Sequence, residues 1–91
     1  MQVGNHTILY NRTGLNLGDI EEAVRVCLDA NAITGQGKIK TVIVGRLDWH
    51  MDGTAGFDIS VDVLTNKVIR CLNARMEYNA NTQQFSATSV Y

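Results

Sequence analysis

From residue 57 to residue 64 the side chains alternate without a break. Phe57, Ile59, Val61 and Val63 fall on one side, and Asp58, Ser60 and Asp62 on the other. A period of two does not serve a helix; it describes a strand with one face buried and one face wet. Any strand beside it must present its own apolar set to the same side, because a slip of one residue reverses a strand's faces.

Two downstream stretches, 68–79 and 83–91, meet that requirement. If Thr65-Asn66 closes a hairpin, Phe57 faces Ala74, Ile59 faces Leu72 and Val63 faces Val68. Only Val61, opposite Arg70, breaks the apolar pairing. If Ala80-Asn81 closes the next hairpin, Met76 faces Phe85 and Ala74 faces Ala87. Both pairings put apolar residues on one face of a single meander.

Upstream, the period changes to that of a helix. Ile20, Ala23, Val24, Cys27 and Leu28 form one apolar stripe. Asp19 reads as the N-cap and Glu22, three residues on, completes a capping-box pattern. The helix should fade over 31–34, with Gly35 as its stop. Residues 38–48 read as a strand whose centre, Thr41-Val42-Ile43-Val44, is β-branched and apolar on both faces. That pattern implies an interior strand, covered by the helix on one side and by something else on the other. A short strand is expected within 6–12. Residues 48–56 read as a loop or distorted hairpin, with Asp52-Gly53 as a turn signal.

The expected order is β-α-β-β-β-β. It makes one α+β domain over residues 1–91, with one helix packed on one face of an antiparallel sheet. Whether the first strand lies at the sheet edge or pairs centrally with 38–48 is left open by the pattern.

Charge narrows the function classes. Eight Lys+Arg against nine Asp+Glu leave a net charge of −1, so no broad basic field would draw nucleic acid or an anionic membrane. No apolar run reaches the ~20 residues of a membrane span. The opening residues have neither a charged nor an apolar leader region, so a cytoplasmic location is expected. The two cysteines, Cys27 and Cys71, are too few for a disulfide scaffold, and Cys27 falls on the helix stripe as a small hydrophobe.

Three places could carry function. The loop holds Asp48, Trp49, His50 and Asp52. At strand spacing, its two carboxylates and one imidazole would share a face. That set suits zinc or manganese, or a histidine base oriented by a carboxylate. The opening D-x-H-x-D-G also resembles a calcium loop, but Ile59 stands at the twelfth position, where that loop needs Glu. The plainer expectation is a polar hairpin loop with Trp49 over the sheet edge and no metal or cofactor.

The open sheet face is the second place. The expected registers set Asp58 beside Asn73, Arg75 beside Ser86, and Glu77 beside Gln84, a polar field of mixed charge. Leu64, Ile69, Cys71 and Val90 form an apolar patch at one end of it. Arg70 is the third, on the core face near Tyr91, in a structural ion pair or as an anion site. Gly35-Gln36-Gly37-Lys38 follows the helix instead of preceding one, so it is not a phosphate loop.

Residues 62–68 (DVLTNKV) resemble the D-x-x-T-G-x-V hairpin of PepSY domains, with Asn66 in place of the glycine. Thr41-Val42-Ile43-Val44-Gly45 resembles the Q-x-V-x-G hairpin of cystatins without its glutamine. Neither carries residues over, and no family is assigned. No motif of nucleophilic catalysis occurs. The reading is a small non-enzymatic binding module for a protein partner, an inhibitor or immunity-type factor. It would use the open face (Asp58, Asn73, Arg75, Ser86) and the loop (Asp48, Trp49, His50, Asp52), and an edge strand would allow a homodimer. The alternatives are a metal-dependent or acid–base enzyme centred on Asp48, His50 and Asp52, and a protein that sequesters a small ligand.

Overall fold

The computed structural model describes residues 6–33 and 37–91. It is an α+β fold in which one helix covers one face of a six-stranded, mostly antiparallel sheet. The elements are β1 (Ile8–Asn11), α1 (Leu17–Ala30), β2 (Lys38–Val44), β3 (Asp48–Trp49), β4 (Thr54–Thr65), β5 (Val68–Asn79) and β6 (Gln84–Val90). The sheet runs β1-β2-β4-β5-β6, and β3 also pairs with β4.

Strand β1 lies at the edge and pairs with β2 in parallel. The first three elements are therefore a β-α-β crossover, and the sheet is not antiparallel throughout. A parallel neighbour needs a long connection, and α1 supplies it.

The helix starts earlier than its charge pattern implies. Asn16 is the N-cap, and its side-chain oxygen accepts the Asp19 N–H at 2.8 Å. Asp19 thus sits at the third helical position, where its carboxylate still complements the dipole. Glu22 does not close a capping box. It and Asp29 flank Arg25 on the wet face, in i,i+3 and i,i+4 ion pairs. The chain leaves the helix at Asn31, with Ala32 at φ 57°. Gly35 lies outside the described residues.

The core is the meeting of the helical stripe with the alternating strand sets. Ile20, Ala23, Val24, Cys27 and Leu28 pack with Val42, Val44, Phe57, Ile59, Val61, Val63, Leu72, Ala74, Met76 and Tyr78. Phe57 meets Phe85 edge-on at 6.0 Å.

Two hairpin registers differ from the expected ones by two residues. Phe57 pairs with Met76, Ile59 with Ala74, Val61 with Leu72 and Thr65 with Val68. The turn is therefore Asn66-Lys67, at φ 48° and 64°. Both central residues are left-handed, the geometry whose twist suits a two-residue hairpin. The second hairpin sets Met76 opposite Ala87 and Tyr78 opposite Phe85. It closes through four residues, not two. A two-residue shift keeps side chains on their expected faces; past the bulge at Arg75/Met76 the shift is three residues, and there Ser89 and Val90 change faces.

Strand 38–48 is also broken. β2 stops at Val44, the Gly45 N–H bonds the Asp58 carbonyl at 2.9 Å, and pairing resumes with β3 against Gly56 and Ala55. Among the described residues no element covers the outer face of β2, where Ile43 is 48% exposed.

Candidate functional site

The open face is built around β4 and β5. Their register places Asp58 directly opposite Arg75 and Ser60 opposite Asn73. One strand over, β3 places Asp48 opposite Gly56. Arg75 crosses the face above Gly56 and reaches both carboxylates, Asp48 and Asp58, each at 3.4 Å. Gly56 makes this crossing feasible. A Cβ there would lie 2.6 Å from the guanidinium nitrogen.

Tyr91 completes the cluster. Its hydroxyl donates to an Asp58 carboxylate oxygen at 3.1 Å, and its N–H donates to the Asn73 carbonyl at 3.3 Å. Burial works against the Arg75 charge, but the hydrogen bond to Asp48 and the field of Asp58 outweigh it and hold the guanidinium above its ordinary pKa. The Tyr91 phenol is raised by desolvation and then by the Asp58 carboxylate. The result is a flat polar cluster of two carboxylates, one guanidinium and one phenol, held over a packed core. It offers donors and acceptors at fixed positions.

The remaining site residues are divided. Asn73 borders the cluster, its amide 4.0 Å from the Cys71 sulfur. Ser86 is exposed but pairs with Glu77, while Arg75 pairs with Ser89. The two-residue difference in register and a bulge at Arg75/Met76 together make this shift, and the Thr88 hydroxyl bonds the Arg75 carbonyl across the bulge at 3.0 Å. The bulge also turns Val90 to lie opposite Ala74, away from the patch of Leu64, Ile69 and Cys71.

Trp49 belongs to the other face. It pairs with Ala55 and meets the Tyr78 ring edge-on at 6.2 Å, on the helix side of the sheet. Asp48 and Trp49 point to opposite sides, as consecutive strand residues must.

His50 and Asp52 do not share a strand face with Asp48, because β3 ends at Trp49. The His50 N–H bonds the Thr54 carbonyl at 2.8 Å. One Asp52 carboxylate oxygen accepts from the Thr54 hydroxyl at 2.6 Å and its N–H at 3.1 Å. Those two bonds hold the Asp52 carboxyl below the usual range. Asp48 is turned to Arg75 and Asp52 to its own turn, so the three side chains do not converge. Among the described residues no three His, Cys, Asp or Glu side chains are placed to hold a metal ion together.

Arg70 pairs with Val63 and is exposed. It does not meet Tyr91, which lies over the Asp58–Asn73 end of the face. Gly56 and Tyr91 were missed from sequence. The signal for Gly56 was its alternation with Asp58 on the wet face. Tyr91 had none, because the bulge that turns it over the sheet has no sequence mark.

Searches against protein-family models, curated proteins and solved structures return no match to this chain. Among the described residues no helix is long and apolar enough to cross a membrane.

Proposed function

We propose that the chain is a small non-enzymatic binding module that recognises a protein, an inhibitor or immunity-type factor working in the cytoplasm. The observation that supports this reading is the Asp48–Arg75–Asp58–Tyr91 cluster over Gly56. Its groups neutralise one another only in part and stay at the surface. Arg75 is 36% exposed at its side chain, and the two carboxylates are more open still. Opposed charges at set positions confer specificity and steer encounter more than they add affinity. The turn carrying His50 and Asp52 flanks the cluster and widens the surface. Pairing of the β6 edge with a second copy belongs to the same proposal.

Native mass of the protein purified from its own host is the test. A co-purifying partner retained by the wild-type chain and lost from Gly56→Ala supports the reading. That variant keeps every charge and displaces only the Arg75 guanidinium. Arg75→Glu with Ser86→Glu should act in the same direction without unfolding. A bare 10.0 kDa chain or simple multiple, or a partner indifferent to both variants, would sink it.

A further inference from the structure

Strand β1 ends the sheet, and its outer side is unpaired by β2. The Arg12 N–H donates inward to the Val44 carbonyl at 3.1 Å. Backbone alternation then turns the N–H and C=O groups of Leu9 and Asn11 outward. The same alternation sets Ile8, Tyr10 and Arg12 in a row on the open face. Ile8 and Tyr10 are 55% and 59% exposed. Beside them Tyr10, Arg12, Ile43, Val44 and Gly45 line a groove of about 400 Å³. Gly45 contributes only backbone to its lining.

Charge distinguishes the occupants. Arg25 and Arg75 each bridge two carboxylates, whereas Arg12 has no ion-pair partner among the described residues. Residues 1–11 and 78–91 contain no charged side chain at all, so neither β1 nor β6 carries one. A second copy offering either edge strand therefore brings no side-chain carboxylate to Arg12. A foreign strand with an acidic residue does.

We infer that the β1 edge receives an extended segment of a partner protein, which adds as an outer strand with apolar residues beside Ile8 and Tyr10 and a carboxylate at Arg12. The backbone groups of Leu9 and Asn11 bond the added strand, and alternate side chains give it specificity. The required pattern is apolar, any, apolar, any, acidic, because only every second residue faces the groove. The inference rests on the binding-module reading only in taking a protein as partner, since the surface is a different one.

The probes are fluorescein-labelled nonapeptides in which valine alternates with threonine. One terminal valine is replaced by glutamate or by lysine, and both chain directions are made. The glutamate peptide should bind in one direction and shift the amide signals of Leu9 and Asn11. Arg12→Glu should weaken it about fivefold, in line with an exposed ion pair, and should reverse the preference toward the lysine peptide. Gly45→Val should weaken it by filling the groove, and Arg75→Glu should leave it unchanged. Equal binding of glutamate and lysine peptides, signal shifts confined to other strands, no binding at millimolar peptide, or self-association through β1 would each overturn the inference. Loss of peptide binding beside an intact Gly56-dependent partner would overturn this inference alone.

Discussion

Two cysteines with one chemistry sit in opposite surroundings. Cys27 is wholly buried on the helical stripe, and desolvation pushes its thiol up to about 11. Cys71 is exposed on the open face, 3.7 Å from the Ser60 hydroxyl. A thiol reagent at pH 8 should therefore modify one cysteine per native chain and two in denaturant. Cys71→Ser should abolish the fast phase. Tyr91 yields a second prediction at this scale. Its pKa in the folded chain is raised, so its contribution to stability is complete below the ordinary phenol value and is lost as pH rises through the folded value. Asp58→Asn removes one of the groups that raise it. In an absorbance titration, that variant should shift one phenolate transition to lower pH, and Tyr91→Phe should remove the transition. The cysteine contrast was half legible in sequence, because helical spacing places Cys27 inside. The Tyr91 contact was not, because it depends on a bulge in the β5–β6 ladder just before it.

At the scale of elements, turns and caps decide what the hydrophobic period leaves open. Faces follow from a side-chain period, but registers follow from turns. The residue pattern closes the β4–β5 hairpin at Thr65-Asn66, but the turn lies at Asn66-Lys67, so Asp58 meets Arg75 and not Asn73. Lys67 holds a left-handed backbone that glycine adopts without steric cost. Lys67→Gly should stabilise the fold by about 1 kcal/mol, read as a higher urea midpoint at unchanged slope. The helix starts three residues earlier than the Asp19 cap of the charge pattern implies. Asn16 caps it, and Asn16→Ala should cost about 1 kcal/mol in the same melt. Asparagine and aspartate are both good caps, and sequence does not show which side-chain oxygen finds the free N–H.

At the scale of the whole molecule, one buried cluster unites helix and sheet, and Phe57 lies at its centre against Phe85. Phe57→Ala should destabilise the chain by about 3–5 kcal/mol, enough to unfold much of it at 37 °C. The polar cluster is wholly on the other face of the same strands. Gly56→Ala should therefore change recognition far more than the melting midpoint, and comparing the two variants by melting and partner retention separates packing from recognition.

Sequence alone determined the α+β class, the single helix, the meander, and which face of β4 and β5 is dry. Those follow from periods of 3.6 and 2, and burial of apolar area enforces them locally along the chain. The tertiary structure decided the partners across strands, the parallel placement of β1, and the break at Gly45. It also placed Arg75 between two carboxylates. Each of these depends on turn dihedrals and bulges that shift a strand by one or two residues, and residues distant in sequence meet only after those shifts are made.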